Sequence, residues 1–203
     1  MNIKAKEFIK KCKSPSPLDS LNNIIQPLVE DPNTPQARLI KLIAMDPVLT
    51  AIVLSKANAT LVRGNNAIGS LSNAITKLGL GQIRTILKEQ STSVAFPESI
   101  AHLVSPKEFW ERALAVGICA KIIDQSLGNN SDEIFYAGLL HDFGRLIILN
   151  NADSLPILEL SKQCERKKQL AYKNERKFYG FNHMELADAL FTEWKMPDSI
   201  REP

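Results

Sequence analysis

The sequence predicts an all-α fold. Three observations carry that prediction. Apolar residues recur at three- and four-residue steps along nearly the whole chain, Pro and Gly sit where helices would start and stop, and no stretch of convincing length alternates apolar and polar residues as a strand does. Leu18, Leu21, Ile24, Ile25, Leu28 and Val29 form one apolar stripe on a first long helix. The segment DPNTPQ stops it. Thr34-Pro35 then opens the next helix in the pattern of an N-cap followed by proline, whose missing N–H costs nothing at the first helical position. Asp46-Pro47 repeats the device and opens a helix with Val48, Leu49, Ile52 and Val53 inward. Ser70 caps LSNAITKL, Gly79 closes it as a C-terminal glycine, and a further helix begins near Gln82 with Ile83, Ile86 and Leu87 inward.

Residues 93–106 contain two prolines and no sustained period, so they read as a connection between an N-terminal helical half, about 1–92, and a C-terminal half, about 107–203. The two halves are expected to form one compact domain over 1–203. Ser105-Pro106-Lys107-Glu108 has the spacing of a capping box. The helix it opens carries Phe109, Trp110, Ala113, Leu114, Gly117, Ala120 and Ile123 on one side, reaches Leu127 and ends at Gly128. Ser131-Asp132-Glu133 begins the helix containing YAGLLHDFGRLIILNN, and further helices are expected at about 155–168 and 170–179. Asn182 caps another, with Glu185 three residues on and Ala187, Leu190, Phe191 and Trp194 inward. Trp110, Trp194, Phe191 and Phe135 stand at helical spacing among aliphatic residues, which is a core pattern.

Composition excludes several function classes. Hydrophobic residues make up 44% of 203 and charged residues 23%, ordinary for a globular chain. The net charge of +3, from 25 basic and 22 acidic side chains, is far from the basic surface of a dedicated nucleic-acid binder. The clusters KAKEFIKKCK and 162–177 are interleaved with Glu and read as solvated helix faces. Cys12, Cys119 and Cys164 are odd in number and lack a CxxC spacing, which fits a reducing cytoplasm. Lys4, Lys6, Lys10 and Lys11 are not followed by an apolar segment, so no signal peptide is expected. No apolar run approaches the ~18 residues of a membrane helix. GLGQIR lacks the preceding strand and the length of a phosphate-cradling loop, and Asn58 reads as a side chain that caps or bridges backbone.

The chemistry-bearing stretch is His141-Asp142 within an apolar run, followed by Phe143, Gly144 and Arg145. It resembles the HDxGK signature of HD-domain proteins, which are helical metal-dependent phosphohydrolases. Four further segments extend the likeness: LIAMDPVLTAIVLSKANAT, IGSLSNAITKLGLGQIRTIL, FWERALAVGICAKII and YGFNHMELADALFTEWKMPDSI. Together and in this order they resemble the HDOD family, the HD-related output domain, over about residues 16–201. The resemblance implies a bacterial signal-transduction module working by protein contact or ligand sensing. Its alternative is a degenerate metal phosphohydrolase acting on nucleotides or cyclic dinucleotides. KMPDSIREP stops where the resemblance leads one to expect a further helix.

A divalent ion in such a site needs several imidazoles and carboxylates converging. The resemblance puts the first ligand histidine on the helix at FWERALAVG, where Arg112, or a neighbour, stands instead, and a fixed cation such as arginine repels a metal. His183 matches a ligand of the related hydrolases, and His102, in the connection, matches nothing. His141, Asp142 and His183 are therefore the available ligands, enough at most for a weakly held ion. No metal or other cofactor and no catalytic residue are expected. The motif residues His141, Asp142, Gly144 and Arg145 are read as vestigial: Asp142 accepting from Arg112 or Arg145, His141 buried and satisfied, Gly144 allowing another helix close. The expected partners are unidentified signalling proteins, not a membrane or nucleic acid.

Overall fold

Local punctuation sets the helices, and a few buried polar side chains lock them together. The computed structural model describes residues 2–17, 19–31, 33–61, 66–91, 105–151 and 170–201. Among them the regular structure is all helical: α1 (Ile3–Ile9), α2 (Asp19–Glu30), α3 (Gln36–Ile43), α4 (Pro47–Ala59), α5 (Leu71–Ser91), α6 (Pro106–Ser126), α7 (Asp132–Leu140), α8 (Phe143–Asn151), α9 (Ala171–Tyr179), α10 (His183–Glu193) and α11 (Asp198–Arg201). The helix expected at 155–168, His102 and nearly all of the connection lie outside the described residues.

Most caps form as their residue types require. Ser70 and Ser105 each accept a backbone N–H three residues on, Ser131 accepts one two residues on, and Asn182 with Glu185 makes a complete reciprocal box. Gly79 takes φ 75, so α5 is two helical pieces meeting at a turn that only glycine adopts without strain. Three expectations need correction. Pro35, not Thr34, is the N-cap of α3, because its extended backbone already satisfies proline's fixed φ and the helix begins one residue later. Ile24 is 55% exposed, since the adjacent Ile25 takes the inward direction and the two diverge by a helical step. Ile123 is 59% exposed, because the inward position beside it belongs to Asp124, whose carboxylate accepts the Ser131 N–H.

The core runs as one cluster from α2 through α11 and α1 joins it. Asp46, with no exposed surface, uses one carboxylate oxygen to cap α4 through the Val48 and Leu49 N–H groups, at 2.7 and 3.0 Å. Its other oxygen accepts Trp110 Nε1–H at 2.8 Å, tying the start of α4 to the start of α6. Asn58, also fully buried, bridges backbone as expected: its amide donates to Leu54 and Ile68 carbonyls and accepts the Ile68 N–H. Ser199 Oγ donates to Glu133, joining α11 to α7. Along α6 and α7, Gly117 faces Gly138; a Cβ on Gly138 would stand 2.8 Å from Gly117 Cα, so the helices touch through bare backbone. At the N-terminus, α1 lies on the α9–α10 corner, with Phe8 against Tyr179 and Phe181.

The Asp46–Trp110 bond makes a direct prediction. Trp110→Phe keeps an aromatic ring but removes the donor to a buried carboxylate, a loss of about 2 kcal/mol. Urea melts followed by circular dichroism should show it, and a change below about 0.5 kcal/mol would mean the bond does not link the helices energetically.

Candidate functional site

The site forms where α7 breaks. His141 closes α7 as its C-cap, Asp142 follows outside any helix, and the Asp142 carbonyl accepts the Arg145 and Leu146 N–H groups to start α8. On an unbroken helix the two side chains would diverge. Across this break they face each other, with His141 Nε2 3.7 Å from Asp142 Oδ2. Gly144 supplies the room for a second histidine: a Cβ there would lie 1.9 Å from the His183 carbonyl oxygen. The start of α10 therefore rests on bare α8 backbone, and His183 Nε2 comes within 3.8 Å of Asp142 Oδ1. From α6, Arg112 Nη2 donates to Asp142 Oδ2 at 2.9 Å, with its guanidinium lying 5.5 Å from the Phe109 ring centre.

Each imidazole is held by its other nitrogen. His141 Nδ1 lies 2.8 Å from the Gly138 carbonyl, and His183 Nδ1 lies 2.6 Å from Glu175 Oε2. A carbonyl and a carboxylate only accept, so both Nδ1 atoms carry the hydrogen and both Nε2 atoms turn toward Asp142. Glu175 Oε2 also accepts the His183 backbone N–H at 2.9 Å. With its side chain 6% exposed, Glu175 is the most buried member of the group.

The fold thus brings together four residues that the sequence singled out: His141, Asp142, His183 and Arg112. Gly144 permits the close helix approach expected of it. Two expectations fail. His141 is not a buried histidine; a third of its side chain is exposed, and it is anchored to its own helix. The Arg145 guanidinium is not a partner of the Asp142 carboxylate, because that oxygen is taken by Arg112 reaching across from α6; Arg145 meets Asp142 only through its backbone N–H. Glu175 was missed, read as one acid in a solvated basic run. The available signal was its phase, since Ala171, Asn174, Glu175 and Tyr179 fall on one side of α9 and polar residues at inward positions mark a network.

The donors alone look like metal ligands, two imidazoles oriented from behind and aimed at one carboxylate. The arrangement as a whole does not fit a tightly held divalent ion. Arg112 occupies the carboxylate with a positive charge that cannot be removed by deprotonation. Among the described residues, no group of three or more His, Cys, Asp or Glu side chains is disposed to hold a metal.

Comparison with known proteins gives a family match. The model described as "HDOD domain" matches residues 15–203. Among solved structures, the chain is similar to the MmoQ response regulator of Methylococcus capsulatus, at 25% identity and a TM-score of 0.79 over 92% of this chain and 75% of that one. A virulence factor of Campylobacter jejuni shares the fold at 21% identity and a TM-score of 0.76, over 98% and 71% of the two chains. An HDOD domain protein of unknown function from Geobacter sulfurreducens aligns at 24% identity and a TM-score of 0.51, over 98% and 66%. No curated protein matches.

The contact at Gly144 can be tested directly. Gly144→Ala must push α10 away from α8, because the added methyl meets the His183 carbonyl and the Ala187 N–H rather than flexible side chains. A loss of about 3 kcal/mol is expected, together with altered His183 imidazole nitrogen shifts by NMR. Gly81→Ala, whose methyl meets nothing within 4 Å, is the control and should be neutral or slightly stabilising.

Proposed function

The chain belongs to the HDOD domain family, and from that premise we propose that it is a non-catalytic regulatory module of signal transduction. It works in the cytoplasm by contact with a signalling protein or by sensing a ligand. The observation that carries this reading is the 2.9 Å pair between Arg112 and Asp142. A metal hydrolase needs that carboxylate for its ion and an open position for water; here a guanidinium satisfies it. The naming of one similar structure as a response regulator supports the regulatory class. No described helix is long and apolar enough to cross a membrane.

One observation favours the alternative, a degenerate phosphohydrolase. Both Nε2 atoms remain aimed at Asp142, so a metal that displaced Arg112 would find two imidazoles and a carboxylate close by, which would have to shift to converge on it.

Two measurements separate the readings. Supplied with Mn²⁺, Fe²⁺ or Ni²⁺, the protein should not turn over nucleotides, cyclic dinucleotides or a generic phosphodiester above background. A metal-dependent activity abolished by His141→Ala would overturn the non-catalytic reading. Arg112→His removes the cation and adds a fourth donor, so this variant should gain at least tenfold in divalent-ion affinity by calorimetry, roughly 1.4 kcal/mol or more. If wild type already binds one ion as tightly as Arg112→His does, the arginine is not what governs the site.

A further inference from the structure

The outer face of α6 is apolar and exposed. Ile118, Ile122 and Ile123 are 46%, 58% and 59% exposed, and Leu127, just past the helix end, is 73% exposed. Ala115 and Cys119 lie on the same exposed face. Four of the most exposed large apolar side chains in the described chain therefore fall within ten residues. The opposite side of the helix is fully engaged, through Phe109, Trp110, Ala113 and the Gly117–Gly138 contact. Rotation of α6 inward would bury the isoleucines only by exposing that side.

We propose that this face pairs with the same face of a second copy of the chain, the two α6 helices crossing antiparallel near Cys119 and Ile122. This goes beyond the regulatory reading and does not depend on it. The stripe exposes on the order of 500 Å² of apolar surface, the size at which contiguous patches mark contact sites. Two such faces with their polar rims reach the lower edge of a specific interface, about 1,200 Å² in total. The stretch from Ala115 to Leu127 presents no exposed charged side chain; Lys121, one-fifth exposed, is paired with Asp132. A charged partner surface would lose its hydration there without return, whereas a second copy offers another uncharged stripe.

Direction follows from the ends. Lys107, Glu108, Glu111 and Arg112 are exposed at the start of the helix, and the end carries Gln125, Ser126, Asn129 and Asn130. A parallel pair would set Lys107 against Lys107 and Glu111 against Glu111. An antiparallel pair sets those charges against neutral amides, and places Lys107 and Arg112 beside the negative end of the partner's helix dipole. About an axis between Ala120 and Lys121, Ile118 meets Ile123, Cys119 meets Ile122, and Ala115 meets Ser126. Large side chains then lie against each other at the centre, and the small ones flank them.

Sedimentation equilibrium of the full chain over a wide concentration range tests this. Wild type should dimerise, and Ile122→Asp and Ile122→Lys should each weaken dimerisation at least about a hundredfold by placing like charges in the contact. An equal mixture of the two variants should recover the dimer, which a folding defect could not produce. Because Ile122 is exposed in the single chain, both variants should melt as cooperatively as wild type at concentrations low enough to keep wild type monomeric, and at higher concentrations wild type alone should gain stability. A wild type that stays monomeric throughout would overturn the proposal and leave the face to a different protein. A dimer insensitive to either substitution, or a mixture that stays monomeric, would equally overturn it.

Discussion

The arrangement hangs on one buried carboxylate, Asp46. A charge with no exposed surface is tolerated only where its oxygens are well supplied with donors. One oxygen takes the first two free N–H groups of α4, and the other takes the indole of Trp110. The first bond sets where α4 begins. The second fixes where α6 begins, relative to a helix 64 residues earlier in the chain. Two residues beyond Trp110 comes Arg112, and five beyond that Gly117, so the anchor that joins the helices also aims the guanidinium at Asp142 and registers the glycine contact with α7.

Electrostatics then decides what the α7–α8 break does. Asp142 is mostly buried, while Arg112 is half exposed, so their ion pair is screened and contributes on the order of 1 kcal/mol. The modest energy is less informative than the position. A guanidinium is large, planar and permanently charged, and it reaches Asp142 from α6. A divalent ion would bring twice the charge and could dissociate, linking the site to metal supply. With Arg112 the neutralising charge is part of the chain.

Much of this was legible in the residues because it is local. Caps at Asp46, Ser70, Ser105, Ser131 and Asn182 are written within three residues of where they act, and the turn at Gly79 within one. What failed to show depended on choices between competitors. Arg112 and Arg145 are equivalent donors to Asp142 on paper, and only the packing of α6 selects the distant one. Ile24 and Ile25 compete for one inward direction, as do Ile123 and Asp124. Glu175 was hidden by its neighbours, because a lone acid among Lys and Arg looks solvated unless the helix phase is followed to the corner where α10 begins.

Glu175 also accounts for an ordered pair of histidines without invoking a metal. Burying that carboxylate is unfavourable unless it is hydrogen-bonded, and its Oε2 is held by one residue, through the His183 backbone N–H and ring. Among the described residues, removing the imidazole would leave Glu175 Oε2 with the His183 backbone N–H alone at the corner between α9 and α10. His183 is thus required by Glu175 on one side, and by the Gly144 contact its backbone is pressed toward Asp142 on the other. The orientation of Nε2 toward the carboxylate follows from packing and hydrogen bonding alone. Geometry that resembles a prepared ligand set is therefore weak testimony for a metal here, and the charge that faces it, Arg112, is the stronger.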